Sequence, residues 1–225
     1  MEPFLHPNFP QVKICGLSKP KEAVKCAALG ADAIGLVFFK RSPRYVTREK
    51  AKTICDALPD TISRVGVFVD EPFHSLMETV FKCRLTAIQL HGNEPPKLVR
   101  DLMAQGIDVI KALYVESRPS IAQAETYDAS AYLVECAQGD LPGGNAQAWN
   151  WSDAKTFGKN HPMVLAGGLS PENVAHAIQN AMPDAVDVSS GVENAPGQKD
   201  MYKVKLFINA VRASAPDREL RGIFK

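Results

Sequence analysis

Two short glycine-bearing stretches carry the clearest chemistry in this sequence, Leu165-Ala166-Gly167-Gly168-Leu169-Ser170-Pro171 and Asp187-Val188-Ser189-Ser190-Gly191-Val192-Glu193. Glycine lets the main chain approach a ligand closely and leaves amide N–H groups pointing outward, so two such stretches at adjacent strand ends make a cradle for a phosphate. Gly167, Gly168, Ser190 and Gly191 are the candidate contacts. Groups able to move protons lie elsewhere, at Cys15 and Glu135. A thiol at a strand end, in the positive field of helix N-termini, could have a depressed pKa and act as a base, but taken alone a cysteine in an apolar strand is more often a small buried hydrophobe. Glu135 follows the apolar run Ala131-Tyr132-Leu133-Val134 and cannot be buried without compensation, so it either pairs with Lys111 or Lys13 or faces an active cavity. His91 either joins Asp70 around a metal or is a structural or substrate-contacting side chain, and the absence of a second histidine at a strand end favours the latter. Asp187 is expected to pair with Lys13. Trp149 and Trp151 are expected to pack beneath a loop.

Elements that would position these groups alternate along the chain. Strands are predicted at Gln11–Ile14, Ala33–Phe38, Arg64–Val69, Thr86–Leu90, Asp108–Leu113, Ala131–Glu135, Met163–Ala166 and Ala185–Val188. Helices are predicted from a capped start at Ser18 to Leu29, from Thr47 to near Leu58, and over Pro72–Lys82, Pro95–Gln105, a weak Pro119–Glu125, Pro171–Ala181 and Asp200–Ala213. In the sixth of these, Ser170 is the expected N-cap and Pro171 the first helical residue. Val65-Gly66-Val67-Phe68-Val69 is apolar on both faces, as a parallel strand covered by helices must be. Eight strands with a helical connection after nearly every one predict an α/β protein, a single (β/α)8 TIM barrel over residues 1–225 with phosphate-binding loops after strands 7 and 8. An open doubly wound sheet stays possible, because periodicity does not reveal closure. Residues 213–225, with Pro216 and several charges, are expected to be a mobile tail outside the core.

A net charge of +1 leaves no basic footprint for nucleic acid, and no apolar run approaches the ~20 residues that span a membrane. Small molecules are the expected partners. Five scattered cysteines without a CxxC spacing read as free thiols, and Met1–Pro10 does not read as a signal peptide, so a cytoplasmic protein is expected.

The motifs Val12-Lys13-Ile14-Cys15-Gly16, Gly35-Leu36-Val37-Phe38 leading to Ser42-Pro43-Arg44, Gly66-Val67-Phe68-Val69, Gln89-Leu90-His91-Gly92, Pro142-Gly143-Gly144 and the two glycine stretches occur together and in order. In this combination the chain resembles the phosphoribosylanthranilate isomerase family. The resemblance implies a (β/α)8 barrel that converts an N-ribosyl anthranilate 5-phosphate into an open-chain amino-ketose phosphate by an Amadori rearrangement, without cofactor or metal, as a monomer or homodimer. It implies Cys15 as general base and Arg44 as the partner of the anthranilate carboxylate; without it, Arg44 would read as a solvated loop charge beside Lys40 and Arg41. The family's acid is the aspartate of Leu-Leu-Asp, where this chain has Leu133-Val134-Glu135. Glutamate keeps the proton chemistry on a side chain one methylene longer. The family's Gly-Gly-Thr-Gly and Phe-Asp-Trp are here Gly143-Gly144-Asn145-Ala146 and Trp149-Asn150-Trp151, in a long glycine-rich loop suited to a lid. His91, Gly143 and Gly144 join the substrate contacts. Another phosphosugar isomerase or epimerase barrel, or a catalytically silent phosphate-binding barrel, are the alternatives.

Overall fold

The structure, a computed structural model, describes residues 9–136 and 148–225. Its strands are β1 (Gln11–Cys15), β2 (Ala33–Val37), β3 (Ser63–Phe68), β4 (Ala87–Leu90), β5 (Asp108–Tyr114), β6 (Ala131–Glu135), β7 (Met163–Leu165) and β8 (Ala185–Val188). Each pairs in parallel with the next, and β8 returns to β1 through Gln11↔Ala185 to Ile14↔Val188, which closes the barrel and excludes the open sheet. The helices are α1 (Pro20–Leu29), α2 (Arg48–Asp56), α3 (Phe73–Cys83), α4 (Pro96–Met103), α5 (Ala124–Tyr127), α6 (Lys155–Asn160), α7 (Val174–Ala181) and α8 (Met201–Arg212). A hairpin, β9 (Glu193–Ala195) with β10 (Gln198–Lys199), precedes α8.

Local chemistry sets several boundaries. Gly30 ends α1 in the left-handed region at φ 103°, which glycine alone adopts without a Cβ penalty. Thr47 caps α2 by accepting from the Lys50 amide, and Asp200 caps α8 by accepting from Tyr202 and Lys203. One predicted cap is corrected. Ser18 donates instead to the Gly197 carbonyl, leaving Lys19 before Pro20. Ser170 does cap the turn after β7, its Oγ accepting from the Glu172 amide at 3.3 Å and its amide donating to Asn173 Oδ1 at 2.8 Å, but the regular helix begins at Val174 rather than at Pro171.

Inside the barrel, every second residue points to the axis. Ala33, Val65, Ala87, Ile110, Ala112, Ala131, Leu133, Val164, Ala166 and Ala185 form this inner cluster. Continuing the alternation places Lys13, Cys15, Gln89, His91, Tyr114, Glu135 and Asp187 on the same inward register, toward the C-terminal ends of their strands.

The expectation that the tail adds nothing to the core is corrected. Phe224 packs into the inner cluster and Leu220 is buried. Gln11 exchanges hydrogen bonds with the Phe224 carbonyl and with the Ile223 and Phe224 amides, and Ser63 donates to the Lys225 carbonyl at 2.7 Å. The tail therefore seals the N-terminal floor, where Arg218, Arg221 and Lys225 bind carboxylates of the barrel.

Candidate active site

Lys13 and Asp187, on adjacent strands β1 and β8, form the expected buried ion pair at 2.9 Å. Cys15 lies two residues beyond Lys13 on the same strand face. Gly35 opposite makes room for it, since a Cβ there would come within 2.7 Å of the thiol sulfur. Burial pushes the Cys15 thiol up; Lys13 opposes this, and Asp187 adds to it. This corrects the expectation of a depressed thiol pKa: desolvation outweighs the positive field, and the thiolate relies on Lys13 and, more weakly, Lys199 for support.

Neither lysine offered as a structural partner for Glu135 takes it. Lys13 holds Asp187, while Lys111 binds Glu94 Oε2 at 2.8 Å and the carbonyls of Gly92 and Leu90. Glu135 is buried, and its pKa is raised to about 7, first by burial and then by Asp187, with Lys13 opposing. The nearest charged-pair geometry is His91 Nε2 at 4.0 Å from Glu135 Oε2. His91 is held at Nδ1 by Gln89 Nε2 at 2.8 Å, and burial, with Lys111 and Lys13, lowers its pKa to about 3, so the ring is neutral. Its Nε2, together with Gln89 Oε1 and Tyr114 Oη, has no hydrogen-bond partner among the described residues. Asp70 accepts from the Asn93 amide, and among the described residues no three His, Cys, Asp or Glu side chains are grouped to hold a metal.

Arg44 is engaged rather than solvated. Its Nε and Nη2 donate to Glu193 Oε1 and Oε2 at 2.9 and 2.7 Å. Burial works against the Glu193 carboxylate, but hydrogen bonds from Arg44 and Lys199 overcome it and hold its carboxyl below the usual range. Gly16 has φ 77°, and a Cβ there would meet Arg44 Cδ at 2.5 Å, so the arginine stem lies against the end of β1 beside Cys15.

At the glycine loops, Gly167 and Gly168 take φ 85° and 67° just beyond β7. Trp149 Nε1 donates to the Ala166 carbonyl at 3.1 Å and Trp151 Nε1 to that of Gly167 at 3.4 Å, so the two indoles brace this loop. Ser190–Val192 form a single 3₁₀ turn beyond β8. A Cβ on Gly191 would lie 2.0 Å from the Leu169 carbonyl oxygen, so this glycine is where the two loops touch. Gly143 and Gly144 lie outside the described residues.

Sequence reasoning did not single out Gln89, Tyr114, Glu94, Glu193 or Lys199 as site residues. The first two were available from alternation: they sit two residues beyond the inward-facing Ala87 and Ala112. The others depend on contacts between distant segments.

A closed parallel barrel with its reactive groups and its glycine loops at one mouth has the organisation of a (β/α)8-barrel enzyme. Residues 12–210 match the family model described as N-(5'-phosphoribosyl)anthranilate (PRA) isomerase. The N-(5'-phosphoribosyl)anthranilate isomerase of Desulfatibacillum aliphaticivorans is 49% identical over 214 residues, covering 95% of this chain and 98% of that protein. The crystal structure of phosphoribosyl anthranilate isomerase from Thermotoga maritima superposes with a TM-score of 0.84 at 38% identity, covering 91% of this chain and 99% of the other. A structure of phosphoribosyl anthranilate isomerase in complex with reduced 1-(o-carboxyphenylamino)-1-deoxyribulose 5-phosphate gives 0.81 at 38% identity, with coverage of 91% and 99%. The chain belongs to the phosphoribosylanthranilate isomerase family, and its activity is that isomerisation, a step of tryptophan biosynthesis. No helix among the described residues is long and apolar enough to cross a membrane.

Proposed function

We propose that Glu135 is the general acid and Cys15 the general base of this reaction. The observation that carries the reading is Glu135 itself: a buried carboxyl, paired with neither lysine, with a pKa of about 7 at the mouth of the barrel. A group titrating there delivers a proton near neutral pH. In the first step Glu135 protonates the furanose ring oxygen of N-(5'-phosphoribosyl)anthranilate; the C1–O bond breaks and the anilinic nitrogen supplies the electrons for a Schiff base. The Cys15 thiolate then removes the proton at sugar C2, giving an enamine whose tautomerisation yields the amino-ketose. Lys13, beside the thiol, stabilises the thiolate. Gly167, Gly168, Ser190 and Gly191 form the phosphate loops, and Arg44 receives the anthranilate carboxylate. The occupant of the related complex carries both a phosphate and an aromatic carboxylate, which matches these two ends. His91, neutral and with Nε2 facing the acid, contacts substrate near Glu135.

Expression in a tryptophan auxotroph lacking the isomerase tests the reading. The wild-type chain restores growth and Cys15→Ser, folded by circular dichroism, does not. Growth supported equally by both would remove Cys15 from the chemistry.

A further inference from the structure

Arg44 reaches the site from the connection between β2 and α2, and its direction is set by Glu193, the first residue of β9. The pair is largely buried, with side-chain exposures of 12% and 4%. Glu193 is itself anchored. Its Oε1 accepts from Lys199 Nζ at 2.7 Å and from the Gly197 amide at 3.2 Å, and Lys199 Nζ also donates to the Ser189 carbonyl at 3.0 Å. A guanidinium presents paired N–H groups along two edges, Nε with Nη2 and Nη1 with Nη2. Glu193 occupies the first edge, so the second is the one available to a ligand carboxylate.

We infer that Glu193 is a positioning residue, holding Arg44 by one edge so that the other receives the carboxylate on the substrate's aromatic ring. Lys199 shares the Glu193 carboxylate with Arg44, so the carboxylate that orients the arginine is itself fixed from a second side. The site thereby selects ribosylated aromatic amines that carry a carboxylate. This inference rests on the role of Arg44 proposed above.

A double-mutant cycle on kcat/KM for N-(5'-phosphoribosyl)anthranilate tests it. Arg44→Ala lowers kcat/KM roughly 30- to 150-fold, as loss of a charge-assisted bidentate contact implies. Glu193→Gln, which still offers Lys199 an acceptor, lowers it about 10-fold through KM, with kcat within about 2-fold. Added to Arg44→Ala, it changes kcat/KM by less than about 2-fold, because its effect passes through the arginine. If Glu193→Gln does not fold, Glu193→Asp replaces it in the same cycle. An equal cost in both backgrounds, or an effect confined to kcat, overturns the positioning role while leaving the arginine's intact. Unchanged kcat/KM in Arg44→Ala overturns the arginine's role, and this inference with it.

Discussion

Asp184 at the floor of the barrel and Glu135 at its mouth are both buried carboxyls, but they live in opposite circumstances. Asp184 accepts hydrogen bonds from Arg218 Nη2, Arg221 Nη1 and the Arg221 and Met163 amides, so both of its oxygens are satisfied twice. Glu135 has neither neighbouring lysine, and it shares the mouth with His91 Nε2, Tyr114 Oη and Gln89 Oε1, which lack partners among the described residues. Buried polar groups are ordinarily paired, because an unpaired one costs about 1–3 kcal/mol. Completing the bonds at one end and withholding them at the other makes the floor a source of stability and the mouth a place where substrate finds donors and acceptors ready.

The largest effect expected from disturbing this contrast is at the mouth. Cys15→Ser loses several powers of ten in kcat, since a hydroxyl is a far poorer base than a thiolate, while the thermal midpoint moves little. Steady-state kinetics alongside a thermal melt check both halves. At the floor the pattern inverts. Asp184→Ala leaves two arginines and the Met163 amide without their acceptor, which lowers stability by about 3 kcal/mol and Tm by roughly 6–12 °C, with kcat within about 3-fold of wild type. Calorimetry showing an unmoved Tm would break the assignment of the floor to stability.

Much of this contrast was legible in the sequence. Short apolar runs alternating with helix signals located all eight strands, and Cys15 and Glu135 stood out as reactive groups at strand ends. What escaped depends on contacts between distant segments. Arg218 and Arg221 looked like solvated tail charges because their partner, Asp184, is more than thirty residues away. Arg44 looked free for the same reason, Glu193 being 149 positions on. Ser170 caps its turn as the rule predicts, but the regular helix starts only at Val174. The thiol's raised pKa follows from its burial in the folded barrel, which local sequence does not encode. The approach of Gly191 to the Leu169 carbonyl, which joins the two glycine loops, is likewise a contact between separate segments.

A smaller effect sharpens the chemistry of the mouth. With the Glu135 carboxyl raised to about 7 and the Cys15 thiol raised by burial, the one-proton state carries its proton mainly on sulfur, and the productive form is the minor arrangement with that proton on the carboxyl and the sulfur ionised. As pH falls through about 7, a second proton binds, the thiolate is lost, and kcat/KM falls toward tenfold per unit; as pH rises through the thiol's own pKa, the acid's proton is lost and activity falls again. A kcat/KM that stays flat between about pH 6 and 8 would contradict this coupling.

The most direct measurement is kcat and Tm of Glu135→Gln, taken together. Removing an acid that serves chemistry rather than structure should lower kcat by about a thousandfold or more, with Tm unchanged or slightly raised, since a buried titrating group is replaced by a neutral one. A lowered Tm with kcat close to wild type would make Glu135 a structural residue and contradict the division between mouth and floor.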